Sequence, residues 1–205
     1  MVDESKKIKP VKKEKIIDTC ISLYEKISFD DVTIRKICNK LNVSTASIYL
    51  SFSTKEEIFV AILIQEIMKW NERLEGLLEY EGTLDDDEFL SEIANTVEER
   101  KLLLKIIGLD LYAIEDMSSI ESLVRYKEEY KKCMFLFEFC LEKYKTNIDS
   151  ERRIQIVHAF FQYTKGLYLT AYPTKKQKLV MKNAKIPYEG KSLYELSYQF
   201  LNLIL

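Results

Sequence analysis

Little in this chain interrupts regular structure. Only five glycines and three prolines occur in 205 residues, and long periodic segments with so few breakers point to an all-α protein. Histidine occurs once, at His158, and the four cysteines, Cys20, Cys38, Cys133 and Cys140, include no CxxC pair. Zinc-ligand spacing is therefore missing. The thiols read as small buried hydrophobes, and neither a metal nor a cofactor is expected. No apolar run approaches the ~18–20 residues of a membrane span, and the opening residues MVDESKKIKPVKK hold no hydrophobic signal core. The expectation is a cytoplasmic protein without membrane contact. A Gly-rich phosphate loop, a nucleophile elbow and paired metal ligands are all lacking. With nothing to anchor a reaction, an enzyme is not expected.

Apolar side chains are plentiful. Hydrophobic residues make up 47% and aromatics 12% of the chain, which excludes wholesale disorder and suffices for a real core in one large or two small domains. The net charge of −2 is unevenly spread: residues 1–55 hold eleven basic and seven acidic side chains, a balance of +4, against −6 for the rest. A positive head on an acidic body approaches a phosphate backbone in one orientation.

The most informative stretch is TIRKICNKLNVSTASIYLSFSTK, Thr33 to Lys55. Ile34, Ile37, Cys38 and Leu41 share one face of a short helix, leaving Arg35, Lys36, Asn39 and Lys40 wet. Asn42 tolerates the left-handed backbone of a helix-ending turn. Ser44 is suited to cap a second short helix, Thr45 to Leu50, with Ile48 inward. This is the pattern of a helix-turn-helix. Upstream, Ile16, Cys20, Leu23, Tyr24 and Ile27 form the stripe of a helix over about Val11–Ile27, and Lys6–Lys13, with Pro10, read as a basic arm. Downstream, Thr54 and Glu57 form a capping-box pattern opening a long helix to Leu78.

On Phe29, Thr33, Ile37, Val43, Ser44, Tyr49, Phe52, Lys55 and Ile58, the run from Lys15 through Ile58 resembles the N-terminal domain of the TetR family of transcriptional regulators. Ser28, Cys38 and Asn42 depart from the usual Gly, Ala and Gly. The resemblance implies an N-terminal three-helix DNA-binding head, residues 1–55, joined by a long helix to a C-terminal helical domain for effector binding and dimerisation, residues 56–205. The implied function is a transcriptional repressor that binds a palindromic double-stranded DNA operator as a homodimer and is released by a small, largely apolar effector. The alternative is a helical DNA-binding or protein-interaction module without such an effector. On the head, Thr33, Tyr49 and Lys55 are expected on phosphates, and Ser44, Thr45 and Ser47 nearer base edges.

Further helices are expected over about Asp86–Glu99, Glu99–Asp116, Ser119–Lys145, Asp149–Tyr172, Lys175–Ala184 and Ser192–Leu205. Trp70, Tyr112, Tyr126, Tyr130, Cys133 and Phe161 are candidate walls of an effector pocket, which is expected to lack a buried Arg or Lys. The last two long helices would form the dimer surface of the family, through Phe160, Tyr168, Leu196, Phe200 and Leu203.

Overall fold

The computed structural model describes residues 10–205, and in these the chain is helical throughout, in two compact units. The expected basic arm lies mostly outside the described residues.

The first unit contains α1 (Lys13–Tyr24), α2 (Ile34–Leu41), α3 (Thr45–Tyr49), the start of α4 (Lys55–Glu79) as far as Ile64, and Tyr112–Tyr126, which holds most of α7 (Leu111–Asp116) and the start of α8 (Ile120–Tyr144). By contacts it thus extends past residue 55 and takes in a segment distant in sequence. Helix α1 is shorter than the stripe suggested. It ends at Tyr24, and a turn follows in which the Ser28 hydroxyl donates to Asp31 at 2.7 Å. Ile16, Cys20, Ile37, Ile48 and Ile58 are fully buried, and the Phe59 ring meets Tyr24 and Phe29 edge-on at 5.1 and 4.8 Å.

The turn between α2 and α3 follows from side-chain chemistry. Asn42 sits at φ 56°, ψ 49°, and the Val43 N–H reaches back to the Cys38 carbonyl at 3.1 Å, closing the helix end. The Ser44 hydroxyl then accepts from the Ser47 N–H and starts α3. Thr54 likewise caps α4, accepting from the Glu57 N–H. The Glu57 carboxylate does not complete that capping box. It accepts instead from the Ser119 N–H at 2.7 Å and from the Ser122 hydroxyl at the start of α8.

The second unit holds α4 from Gln65, α5 (Asp86–Glu98), α6 (Lys101–Leu109), α8 from Lys127, α9 (Ser150–Ala171), α10 (Lys175–Asn183) and α11 (Leu193–Ile204). Capping boxes start three of them, through Asp85 and Glu88, Thr174 and Gln177, and Ser192 and Glu195. The helix expected over Glu99–Asp116 is two, α6 and α7, parted at Asp110. Gly108 lets α6 lie close on α9, since a β-carbon there would stand 3.1 Å from the Lys165 carbonyl oxygen. Helix α11 packs on α5 and α9 through Leu193, Ser197 and Leu201. No described helix is long and apolar enough to cross a membrane.

Candidate DNA-binding and effector sites

The exposed side of the helix-turn-helix is small. Thr45 is exposed, Tyr49 is 55% exposed and Leu50 60%. Ser47 is buried, its hydroxyl paired with that of Ser44 at 2.9 Å, so it is not placed to meet a base edge. It faces inward because α3 is a single turn whose third residue lies beside Ile48 on the packed side. Thr33 is exposed but its hydroxyl caps α2, accepting from the Lys36 N–H. Lys55 is held back from solvent: its Nζ donates to the Phe29 carbonyl at 2.9 Å and lies 4.0 Å above the Phe29 ring. Lys36 and Lys40 are similarly engaged, with the Asp31 carbonyl and the Ser22 hydroxyl. Leu50 is absent from the sequence-derived set, yet its exposure suits contact with a thymine methyl.

In the second unit, aromatic rings gather around Trp70. Its ring lies 5.5 Å from Phe161 and 6.4 Å from Phe160. Tyr130 meets Phe161 at 5.4 Å, and Phe137 meets Phe160 at 4.6 Å. The indole N–H donates to the Thr96 hydroxyl at 3.0 Å, which in turn donates to the Ile93 carbonyl. Burial, with Cys133 adding to it, pushes the Tyr130 phenol up to about 12. Burial also pushes up the thiols of Cys133 and Cys140, the latter to about 12, so both stay protonated at neutral pH.

Of the six pocket candidates, Trp70, Tyr130 and Phe161 share this cluster, and Cys133 is fully buried in the same unit. Tyr112 does not belong with them. It is 86% exposed on α7, because the break at Asp110 starts a new helix whose buried residue is Ile114. Tyr126 is buried in the first unit. Phe160, expected at the dimer surface, is instead 1% exposed inside the aromatic cluster and has no surface to offer a partner. The remaining dimer candidates lie off the buried face of α11 or on the outer part of α9. Leu203 is 81% exposed, Phe200 stacks on Tyr163 at 3.9 Å, Leu196 is half-buried, and Tyr168 lies 4.9 Å from Tyr172.

The expectation that no Arg or Lys is buried here is overturned by Arg100, which is close enough for its charge to act on the Cys133 thiol. The Arg100 side chain is only 9% exposed. Its Nη2 donates to Glu99 at 3.2 Å, while Nε and Nη1 have no partner. Glu99 is shared with the Arg73 Nε at 3.2 Å. Lys145 is also buried, but Asp86 neutralises it at 2.7 Å. The sequence carried a signal for Arg100. It continues the stripe Ile93, Val97, Leu104, where an apolar residue would be expected.

Two family models divide the chain. Bacterial regulatory proteins, tetR family, matches residues 16–62, and the tetracyclin repressor-like C-terminal domain matches residues 64–205. The chain belongs to the TetR family. The TetR fold recurs in solved structures. FadR of Bacillus halodurans, a fatty acid degradation regulator, is 18% identical, with 97% of this chain and 96% of that one covered at a TM-score of 0.62. FadR of Bacillus subtilis, solved with stearoyl-CoA, is 19% identical, covering 94% and 97% at 0.59. A TetR regulator of Legionella pneumophila is 16% identical, covering 96% and 98% at 0.65. No curated protein matches. As a TetR-family member this chain is a DNA-binding transcriptional regulator.

Proposed function

We propose that the protein is a cytoplasmic, homodimeric repressor that binds a two-fold symmetric operator through Thr45, Tyr49 and Leu50, and leaves it when the second unit takes up a small effector. The observation that carries the reading is the capped, single-turn α3, which presents those three side chains to solvent while Ser47 and Ile48 anchor it. Tyr49 suits a phosphate, and Thr45 and Leu50 suit base edges. Dimerisation through the outer faces of α9 and α11 would set the two heads about one DNA turn apart, ~34 Å.

The effector is a largely apolar molecule with one acidic group. The aromatic cluster supports the apolar part. Arg100 supports the acidic group, because a buried guanidinium with two unpartnered donors is costly until an anion accepts from them. Release follows if the effector prefers a head spacing that misfits the groove, by its difference in affinity for the two states. A mobility-shift assay in excess nonspecific DNA tests the reading. A long-chain acid such as stearate should release a retained operator fragment, and the matching alcohol should not. Retention abolished by nonspecific competitor would exclude operator recognition.

A further inference from the structure

The chain averages about one acidic residue in six, yet from Arg152 to Tyr188 there is neither Asp nor Glu and there are eight Lys or Arg. Five of these, Lys175, Lys176, Lys178, Lys182 and Lys185, fall in or beside α10. That helix buries none of its residues, and Leu179 and Val180 are more than half exposed. A nine-residue helix gains too little from its own hydrogen bonds to persist alone, so its ends are fixed locally. Thr174 and Gln177 cap the start, and at the other end Lys185 adopts φ 57° while the Ile186 N–H returns to Met181.

Between α10, the last turns of α9 and the following loop runs an open groove of about 590 Å³. Leu169, Val180, Met181, Pro187 and Tyr188 supply apolar walls, and Lys176 stands on its lining. The Tyr188 hydroxyl donates to the Ala171 carbonyl at 3.4 Å, and Lys178 lies 5.5 Å above the Tyr188 ring. No carboxylate lines the groove, so Lys176 is not neutralised from within. Apolar walls with an unopposed cation at the lip complement a molecule with an alkyl body and an acidic end.

We propose that this groove is a binding site for an anionic amphiphile, its chain along Leu169, Val180 and Met181 and its acidic group at Lys176. The site is separate from the buried Arg100. A free long-chain acid and an anionic lipid headgroup share this chemistry.

The test uses the full chain with dodecanoate below its micellar concentration, 1-dodecanol and dodecyltrimethylammonium, read by isothermal titration calorimetry, and flotation with phosphatidylglycerol or phosphatidylcholine vesicles. Lys176→Glu and Val180→Glu change exposed side chains, so their melting temperatures should match wild type. Dodecanoate should bind in preference to the alcohol and the cation, and the binding that remains in Arg100→Met, where the buried effector site is removed, should weaken about tenfold when Lys176→Glu is added. Binding of monomeric dodecanoate marks a free acid as the source, whereas binding confined to phosphatidylglycerol vesicles marks a lipid, and either supports the proposal. Equal binding of all three probes would overturn it. So would dodecanoate binding lost in Arg100→Met but kept in Lys176→Glu, or a Val180→Glu variant that loses only dimerisation, which would assign the face to a second copy. None of these results depends on whether the protein binds an operator.

Discussion

The Glu57 carboxylate, at the first turn of α4, accepts hydrogen bonds from the Ser119 backbone N–H and the Ser122 hydroxyl at the first turn of α8. Two helix starts 62 residues apart in sequence are joined by one side chain, and the acceptor lies where the α8 amides favour negative charge. Both helices continue into the second unit. Burial alone would raise the Glu57 pKa. The bonds from Ser122 and Ser119 outweigh it and hold the group below the usual carboxylate range.

Glu57→Gln should therefore cost about 1 kcal/mol at neutral pH, less than a buried charged pair because Glu57 is partly exposed. With a depressed folded pKa, the wild-type contribution is complete above the ordinary carboxylate range and is lost as pH falls through the lower folded value. Urea denaturation across acidic pH checks this: the difference between wild type and variant should shrink as pH drops through that window.

Thr45→Ala should relax sequence preference by about 1–3 kcal/mol, and Tyr49→Phe should weaken all duplexes about equally. Ser47→Ala should leave preference unchanged and cost about 1 kcal/mol of stability, since its hydroxyl serves Ser44 and not DNA. Competition binding and thermal melting separate the two effects. A preference change in Ser47→Ala would contradict the burial of its side chain.

Leu203→Glu should convert dimer to monomer at micromolar concentration by sedimentation, because it places a charge on the exposed α11 face assigned to the partner. Phe160→Ala, by contrast, should destabilise the fold by about 3–5 kcal/mol through a core cavity, with dimerisation affected only as far as folding is.

Arg100→Met should leave the unliganded protein as stable or more so, because it removes a buried charge with two unpartnered donors. It should also abolish the fluorescence response of Trp70, the only tryptophan, to acidic effectors. Marked destabilisation without ligand would show that Arg100 is satisfied within the fold.

What the sequence revealed was local. Asn42, Ser44 and Thr54 act on backbone groups within a few residues of themselves, so turn and cap chemistry placed them correctly. The partner of Glu57 lies in a distant segment, and sequence spacing pointed it to its own helix start instead. Phe160 and Leu203 both read as apolar faces seeking cover. Which one is covered internally depends on where Trp70 and Phe137 stand, and no periodicity records that. Ser47 misled for a similar reason, since a five-residue helix is too short to define its own inner face. Arg100 lies inside the helix expected over Glu99–Asp116, where a charged residue reads as part of a solvated face, although its place in the stripe was visible.

If two copies of this head read one symmetric DNA site, sequencing the genomic fragments retained by the purified protein in excess nonspecific competitor will reveal that site. One inverted repeat with half-sites about one helical turn apart should be enriched, and it should be lost from the Thr45→Ala protein's retained set or degraded at fixed positions within each half. Retained fragments with no shared motif, or a single unpaired half-site bound as well as the repeat, would contradict that reading.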